Sequence, residues 1–349
     1  MKPPPLAALA LLIALPGRLT ADPGSVPMNP LAPIALHGHT NVFLLQNRQI
    51  EAVLFPDLGR VARLGFRGEE NLLRFDENLA ETPIGAGPAG WRNYGGDWLW
   101  PVSQAHWAEH FGANWPPPAY MDGAPWTARG WINDDQSQCV LMELQIDEPL
   151  HIRVQRKFML EPDSSTITVR QRIERTAESP IPVSLWNISQ IRKAERIAMA
   201  IETNSTFVGG YRVLDFTPPP PELMYTNDPG MLVADVREAP ELKIGSDSPR
   251  GWIAAQRAGM LVIEKALGDP DARQFPDGGC RTELYSNSGL GYSEIETLGE
   301  EVSLLPGESV ENVLSIALLR IDPNLDLSAF AARVREAVGE PIASSAATE

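Results

Sequence analysis

Seven of the nine tryptophans fall in one stretch, Trp91, Trp98, Trp100, Trp107, Trp115, Trp126 and Trp131. They are interleaved with groups that hydrogen-bond: Arg92, Asn93, Tyr94, Asp97, Gln104, His106 and Asp122. Gly95-Gly96 and several prolines keep the stretch from being regular throughout. A hydrophobic core draws Leu, Ile and Val from many strands, whereas here one loop-rich segment gathers flat rings beside polar groups. That combination suits a sugar, whose apolar C–H faces lie on aromatic rings and whose hydroxyl rim needs amide and carboxylate partners. The other assignment is structural: the rings staple a long connection onto the fold. The residues leave both open.

Two strand-like runs add chemistry. In Ile181 to Ile191, period-two alternation puts Trp186, Ile188 and Gln190 on one face and Leu185, Asn187, Ser189 and Ile191 on the other. Trp186 then offers a platform and Gln190 a polar hook, unless Gln190 simply faces water. In Glu294-Ile295-Glu296-Thr297-Leu298-Gly299 the two glutamates share a face. Burial and mutual repulsion would raise at least one of their pKa values, as a general acid or base requires. The same pair would suit Ca²⁺ if backbone oxygens joined it, or would be a solvated strand face. The five histidines are read as forming no metal set, and two cysteines offer too few ligands, so no metal site is expected. Cys139 and Cys280 either pair or stay as two buried thiols.

The elements that must position these groups are short and β-like. Alternating apolar runs at 42–45, 50–54 and 61–64, parted by Gly59 and Gly68, read as a meander. Further strands are expected at Cys139–Ile146, Ile152–Met159, Thr166–Glu174, Ile181–Ile191, Trp252–Lys265, Arg281–Tyr285, Tyr292–Leu298 and Val310–Leu319. Turns such as Glu161-Pro162-Asp163 punctuate them, and 32 prolines with 28 glycines suit many strands and turns. One helix is expected, from Asp326 to Val338, with Leu327, Phe330, Val334 and Val338 at helical spacing and Gly339 at its end. The fold class is therefore all-β: a large antiparallel two-sheet sandwich with a short C-terminal helix, one domain over residues 22–340 and a flexible tail over 341–349.

The first 21 residues read as a secretory signal peptide: Lys2, an apolar run from Leu6 to Leu15, and Leu19-Thr20-Ala21 as the cut site. That run is about half the roughly 20 residues that a spanning helix needs, so no membrane insertion is expected. The mature protein is thus expected to be periplasmic or secreted. The formal charge of −16, with no cluster of Lys and Arg, argues against nucleic acid and anionic membranes as partners.

The run Pro182, Val183, Leu185, Asn187 resembles the P-V-x-L-T-N-H strand of the galactose mutarotase (aldose 1-epimerase) superfamily. Ile295-Glu296-Thr297 followed by Leu305-Pro306-Gly307-Glu308 resembles that family's L-E-T-Q strand and its following turn. The chain is also similar to an uncharacterised bacterial group with this fold, marked by N-Y-G-G-D-x-x-W-x-x-x-Q, present at Asn93 to Gln104, and by E-x-E-T-L-G at Glu294 to Gly299. The resemblance implies an antiparallel supersandwich with a carbohydrate cleft, and assigns Glu296 as general base. Where mutarotases carry their acid histidine this chain has Ile188, which has no proton to give. His106 or His110 would have to replace it.

Three readings result. The first is a carbohydrate-binding protein for a mono- or oligosaccharide. In it Trp100, Trp107 and Trp186 stack, while Asn93, Tyr94, Asp97, Gln104, Gln190, Glu294 and Glu296 bond hydroxyls. The second is an aldose 1-epimerase-like isomerase with Glu296 as base and His106 as acid. The third is a glycoside hydrolase or lyase pairing Glu294, Glu296 or Glu283 with Asp97; it needs carboxylates straddling a bond, which two acids on one strand face do not do. A protein-interaction role is distinguished by a flat rather than a concave aromatic patch.

Overall fold

In the computed structural model, the described residues are 29–81, 91–216, 223–225, 230–267 and 274–339. The expected leader and tail lie outside them. The alternating runs pair into two ten-stranded antiparallel sheets. The first runs in the order β1 (Ile34–Leu36), β2 (His39–Gln46), β3 (Ile50–Phe55), β4 (Arg60–Phe66), β5 (Asp97–Trp100), β10 (Trp186–Arg192), β19 (Tyr292–Leu298), β18 (Thr282–Asn287), β15 (Leu242–Ser246) and β12 (Arg212–Phe216). The second runs β13 (Met224–Tyr225), β14 (Met231–Asp235), β11 (Arg196–Ala200), β16 (Trp252–Arg257), β17 (Met260–Ala266), β20 (Ser309–Arg320), β9 (Thr166–Arg175), β8 (Ile152–Leu160), β7 (Gln138–Ile146) and β6 (Thr127–Ile132).

The sheets pack face to face, because each strand has one apolar side. On β8, buried Ile152, Val154, Phe158 and Leu160 alternate with half-buried Arg153, Gln155, Lys157 and Met159, save that Arg156 takes a buried place. These meet Leu99, Ile191 and Ile295 of the first sheet in one core. Each such side chain contributes roughly 1.5–3 kcal/mol on burial. The expected Trp252–Lys265 strand is instead the hairpin β16–β17, turning at Ala258 (φ 46°) and Gly259 (φ 79°). Apolar residues on both sides of the turn hid it. The expected strand from Ile181 begins only at Trp186; before it, Val183 bridges Val302.

The one long helix among the described residues, Leu327–Val338, is as the spacing predicts. Asp326 caps it by accepting from the Ala329 N–H at 2.7 Å, and Phe330 and Val334 bury against Trp252 and Met231 of the second sheet. Cys139 and Cys280 are buried and unpaired. No described helix is long and apolar enough to cross a membrane.

Candidate functional site

The outer face of the first sheet carries the chemistry, and strand register brings it together. One row across five strand pairs reads Trp98, Ile188, Glu296, Glu283, Gly245, Arg212. The next row reads Gln190, Glu294, Tyr285, Lys243, and the row on the other side Trp100, Trp186, Leu298. Lys243 and Gly245 share this face two residues apart. Gly245 carries no side chain because a Cβ there would overlap Cys280 Sγ and press on Glu283 Cγ at 3.3 Å.

Lys243 Nζ lies 2.9 Å from Glu283 Oε2 and 3.4 Å from Glu296 Oε2. It also sits 4.8 Å from the Trp186 ring centroid, a cation–π distance. Trp186 Nε1 donates to the same Glu296 oxygen at 2.7 Å. Glu283 and Glu296 are essentially sealed from solvent. Burial would lower the Lys243 pKa, but the Glu283 and Glu296 carboxylates together hold it well above its ordinary value. Burial raises Glu283 well above the usual carboxylate range, with the Glu296 and Asp277 charges adding to the rise against the pull of Lys243. The cluster thus keeps its ammonium charged and holds a proton among its acids.

A second, half-exposed group adjoins it. Glu294 is pushed up to about 7 by burial and the neighbouring Glu296 charge, while Gln190 Nε2, donating to Glu294 Oε1 at 2.8 Å, opposes the rise. Arg74 donates to the Asn93 carbonyl at 2.6 Å and to Asn93 Oδ1 at 3.0 Å, and Asn93 Nδ2 reaches Tyr292 Oη at 3.2 Å. Gly95 and Gly96 (φ 73° and 84°) make this docking possible, since a Cβ at either would overlap a backbone carbonyl of Arg74 or Val61.

Above the sheet lies a cavity of about 500 Å³. Gln104, Ala105 and Asn114 wall one side; Arg212, Leu214, Asp277 and Gly278 wall the other; Lys243 reaches it from the sheet. The Trp-rich segment is pinned beside it by an Arg60–Asp122 ion pair and by Trp91 Nε1 donating to Asp122. Trp115, 48 % exposed, stacks on Trp107 at 6.3 Å and meets Trp91 edge-on at 4.7 Å.

Glu296, Trp186, Gln190, Glu294 and Asn93 therefore share one face, Trp100 lies 5.9 Å from Trp186, and Gln104 lines the cavity. Other expected members do not join them. Asp97, on the opposite side of β5 from Trp98 and Trp100, points between the sheets. There it accepts from Arg156 at 2.6 Å, Asn187 at 2.8 Å and Ser189 at 3.0 Å. It can neither touch a ligand over Glu296 nor pair with it across a glycosidic bond. Tyr94 is buried with Phe55 and Phe75, and Trp107 is fully buried with Nε1 on the Val102 carbonyl. Both are staples. His106 Nε2 lies 3.1 Å from Glu301 Oε2, and the cation facing Glu296 is Lys243. For Ca²⁺ the surroundings are wrong: N–H donors and an ammonium contact these glutamates, where the ion needs oxygens.

Two features escaped the sequence. Lys243, Arg212 and Arg74 are isolated cations in the chain, visible as a set only through strand order. The H-x-x-E-H run His106 to His110 was passed over as a metal set, yet its three potential ligand groups lie within 4.8 Å of one another.

Between the sheets a second polar cluster joins the same strands. Arg156 and Gln171 donate to Asn187 Oδ1 at 2.8 and 2.7 Å, and Ser189 Oγ contacts both Asp97 and Glu264. One hydroxyl proton cannot serve two carboxylates, and burial followed by the Asp97 charge raises Glu264 to about 8. Between pH 4.5 and 8 the folded chain therefore holds a proton that the unfolded chain has released, so stability falls as pH rises through that window. We expect a loss of about 2–3 kcal/mol between pH 5 and pH 7 from this group. Urea melts at the two pH values check it, and Glu264→Gln should flatten the difference; an unchanged slope in that variant would refute the assignment.

A family described as a domain of unknown function (DUF4380) matches residues 41–312. No curated protein matches this sequence. Among solved structures the chain is similar to a galactose mutarotase-like protein from Lactobacillus casei, with 8% identity, a TM-score of 0.53, and coverage of 80% of this chain and 100% of that one. It is also similar to the YeaD protein of Salmonella typhimurium (13%, 0.53, 80% and 90%) and to Slr1438 of Synechocystis sp. PCC 6803 (14%, 0.52, 85% and 99%). These structural likenesses show the fold, a galactose mutarotase-like β-sandwich.

Proposed function

This chain belongs to the DUF4380 family, and from its fold and cleft we propose that it is a carbohydrate-binding protein that holds a mono- or oligosaccharide in the hollow that Lys243 reaches. The observation that carries this reading is the meeting of the Trp186 indole N–H and the Lys243 ammonium on one oxygen of buried Glu296, with Lys243 also reaching a polar cavity of about 500 Å³. Such a cavity is within the range of small-ligand sites. Gln104, Asn114, Arg212 and Asp277 offer both donors and acceptors to hydroxyls, and the exposed Trp115 ring offers an apolar face. Titrating the protein with free sugars and short oligosaccharides should give a saturable change in tryptophan emission. A flat response across a broad glycan panel contradicts the reading.

A second reading, an aldose 1-epimerase-like isomerase, is favoured by Glu294, poised near 7 beside Glu296. Glu296 would take the anomeric hydroxyl proton while a neighbouring acid protonates the ring oxygen; the ring opens and closes again from either face. Ile188 faces Glu296 across the strand pair and supplies no proton, so Glu294 is the donor in this reading and Lys243 the fixed positive charge. We also propose, from the leader-like run Leu6 to Leu15, that the mature protein is periplasmic or secreted; sequencing the N-terminus of the exported protein should find a start near Asp22, and retention of Met1 opposes it.

A further inference from the structure

We propose that His106, Glu109 and His110 form a site for a divalent transition metal of the zinc class at the rim of the cleft. The three residues stand at i, i+3 and i+4 on one helical turn, Trp107–Phe111 with His106 as its N-cap residue, so their side chains project to the same side. One ligand atom from each lies within 4.8 Å of the other two. Zinc–ligand bonds of about 2.0–2.2 Å put such atoms nearer to one another, so binding would draw the three side chains together.

The turn is built to hold still. Trp107, between the first two ligands, is fully buried and tied to the Val102 carbonyl, and Gly112 (φ 80°) closes the helix with its N–H on the Ala108 carbonyl. Glu301 stands behind His106, its Oε2 3.1 Å from Nε2. A carboxylate on one ring nitrogen fixes the imidazole and leaves the other nitrogen for the metal. Two imidazoles and one carboxylate select zinc, cobalt or nickel over magnesium and calcium, and three protein ligands leave a coordination position open. Gln104 and Ala105, immediately before this turn, line the cavity, so the metal would stand beside it. The proposal is independent of whether the cleft takes a sugar.

The test uses full-length, tag-free protein stripped with EDTA. Calorimetric titration with Zn²⁺ should give one equivalent of tight binding, and Co²⁺ should give the intense visible absorption of a low-coordinate nitrogen–oxygen site. His110→Gln and His106→Gln should each abolish both signals, and Glu301→Gln should weaken binding about 10–100-fold. His151→Gln should leave both unchanged. Melting curves of the metal-free variants, expected to match wild type because these side chains are partly exposed, separate lost binding from lost folding. Absence of saturable Zn²⁺ binding in the wild type, or equal binding by His110→Gln, overturns the site.

Discussion

Glu296→Gln is expected to weaken sugar binding about 10–100-fold, since it replaces one of the two carboxylates that hold the Lys243 ammonium at the cavity, a charged hydrogen bond worth about 1.5–3 kcal/mol, by a neutral group of the same shape. The amide still accepts from Trp186 Nε1, and Lys243 keeps Glu283 at 2.9 Å, so the fold should persist. If the protein also opens sugar rings, the same change removes the base. Polarimetry on freshly dissolved α-glucose or α-galactose should then show catalysed mutarotation falling about 10²–10⁴-fold. The two readouts separate the readings: binding lost with no catalysis in wild type leaves a binding protein, and catalysis lost identifies an isomerase. Unaltered affinity in the variant would remove Glu296 from the site.

Arg156→Met should cost about 3–5 kcal/mol of stability, the scale for removing one partner of a buried ion pair. The guanidinium is fully buried between the sheets, 2.6 Å from Asp97 and 2.8 Å from Asn187. Without it Asp97 loses the guanidinium that offsets its buried charge beside Glu264. For a protein with a typical 5–15 kcal/mol of stability that is a large share. Adding Asp97→Asn to Arg156→Met should restore more than half of the loss, because the damage is an uncompensated charge rather than lost packing. Calorimetric melts of the wild type, both single variants and the double variant provide the cycle. A cost below about 1 kcal/mol for Arg156→Met would mean that the inter-sheet network contributes little.

Much of the architecture could be read from the chain because it follows a period of two. Trp186, Ile188 and Gln190 do share a face, Glu294 and Glu296 do lie side by side, and the capped helix from Asp326 is where its spacing puts it. The same rule also shows where residue-by-residue reading failed. Asp97 sits in the segment with the strongest sugar-like composition, yet it alternates with Trp98 and Trp100 and so points inward. Composition marks a segment; only register assigns a side to each residue in it. The tryptophans divide likewise: Trp98, Trp107 and Trp126 are buried staples, and Trp115 is the exposed ring. Lys243 was out of reach for a different reason. It is 53 residues from Glu296 in the chain, and β18 stands between their strands. Nothing local distinguishes it from any other lysine until Gly245 and the strand order put its ammonium beside two glutamates. Ile188 told the reverse: the expected proton donor was absent, but not that a cation from another strand faces the same carboxylate.

The claim on which the functional account stands is that the hollow that Lys243 reaches is where a sugar sits. A crystal structure of the protein soaked with the tightest-binding saccharide tests it most directly. The account predicts the sugar ring between the Gln104–Asn114 wall and Arg212, with a hydroxyl in hydrogen-bond range of Lys243. A saccharide bound with full occupancy elsewhere on the molecule, with this hollow filled only by water, would contradict it.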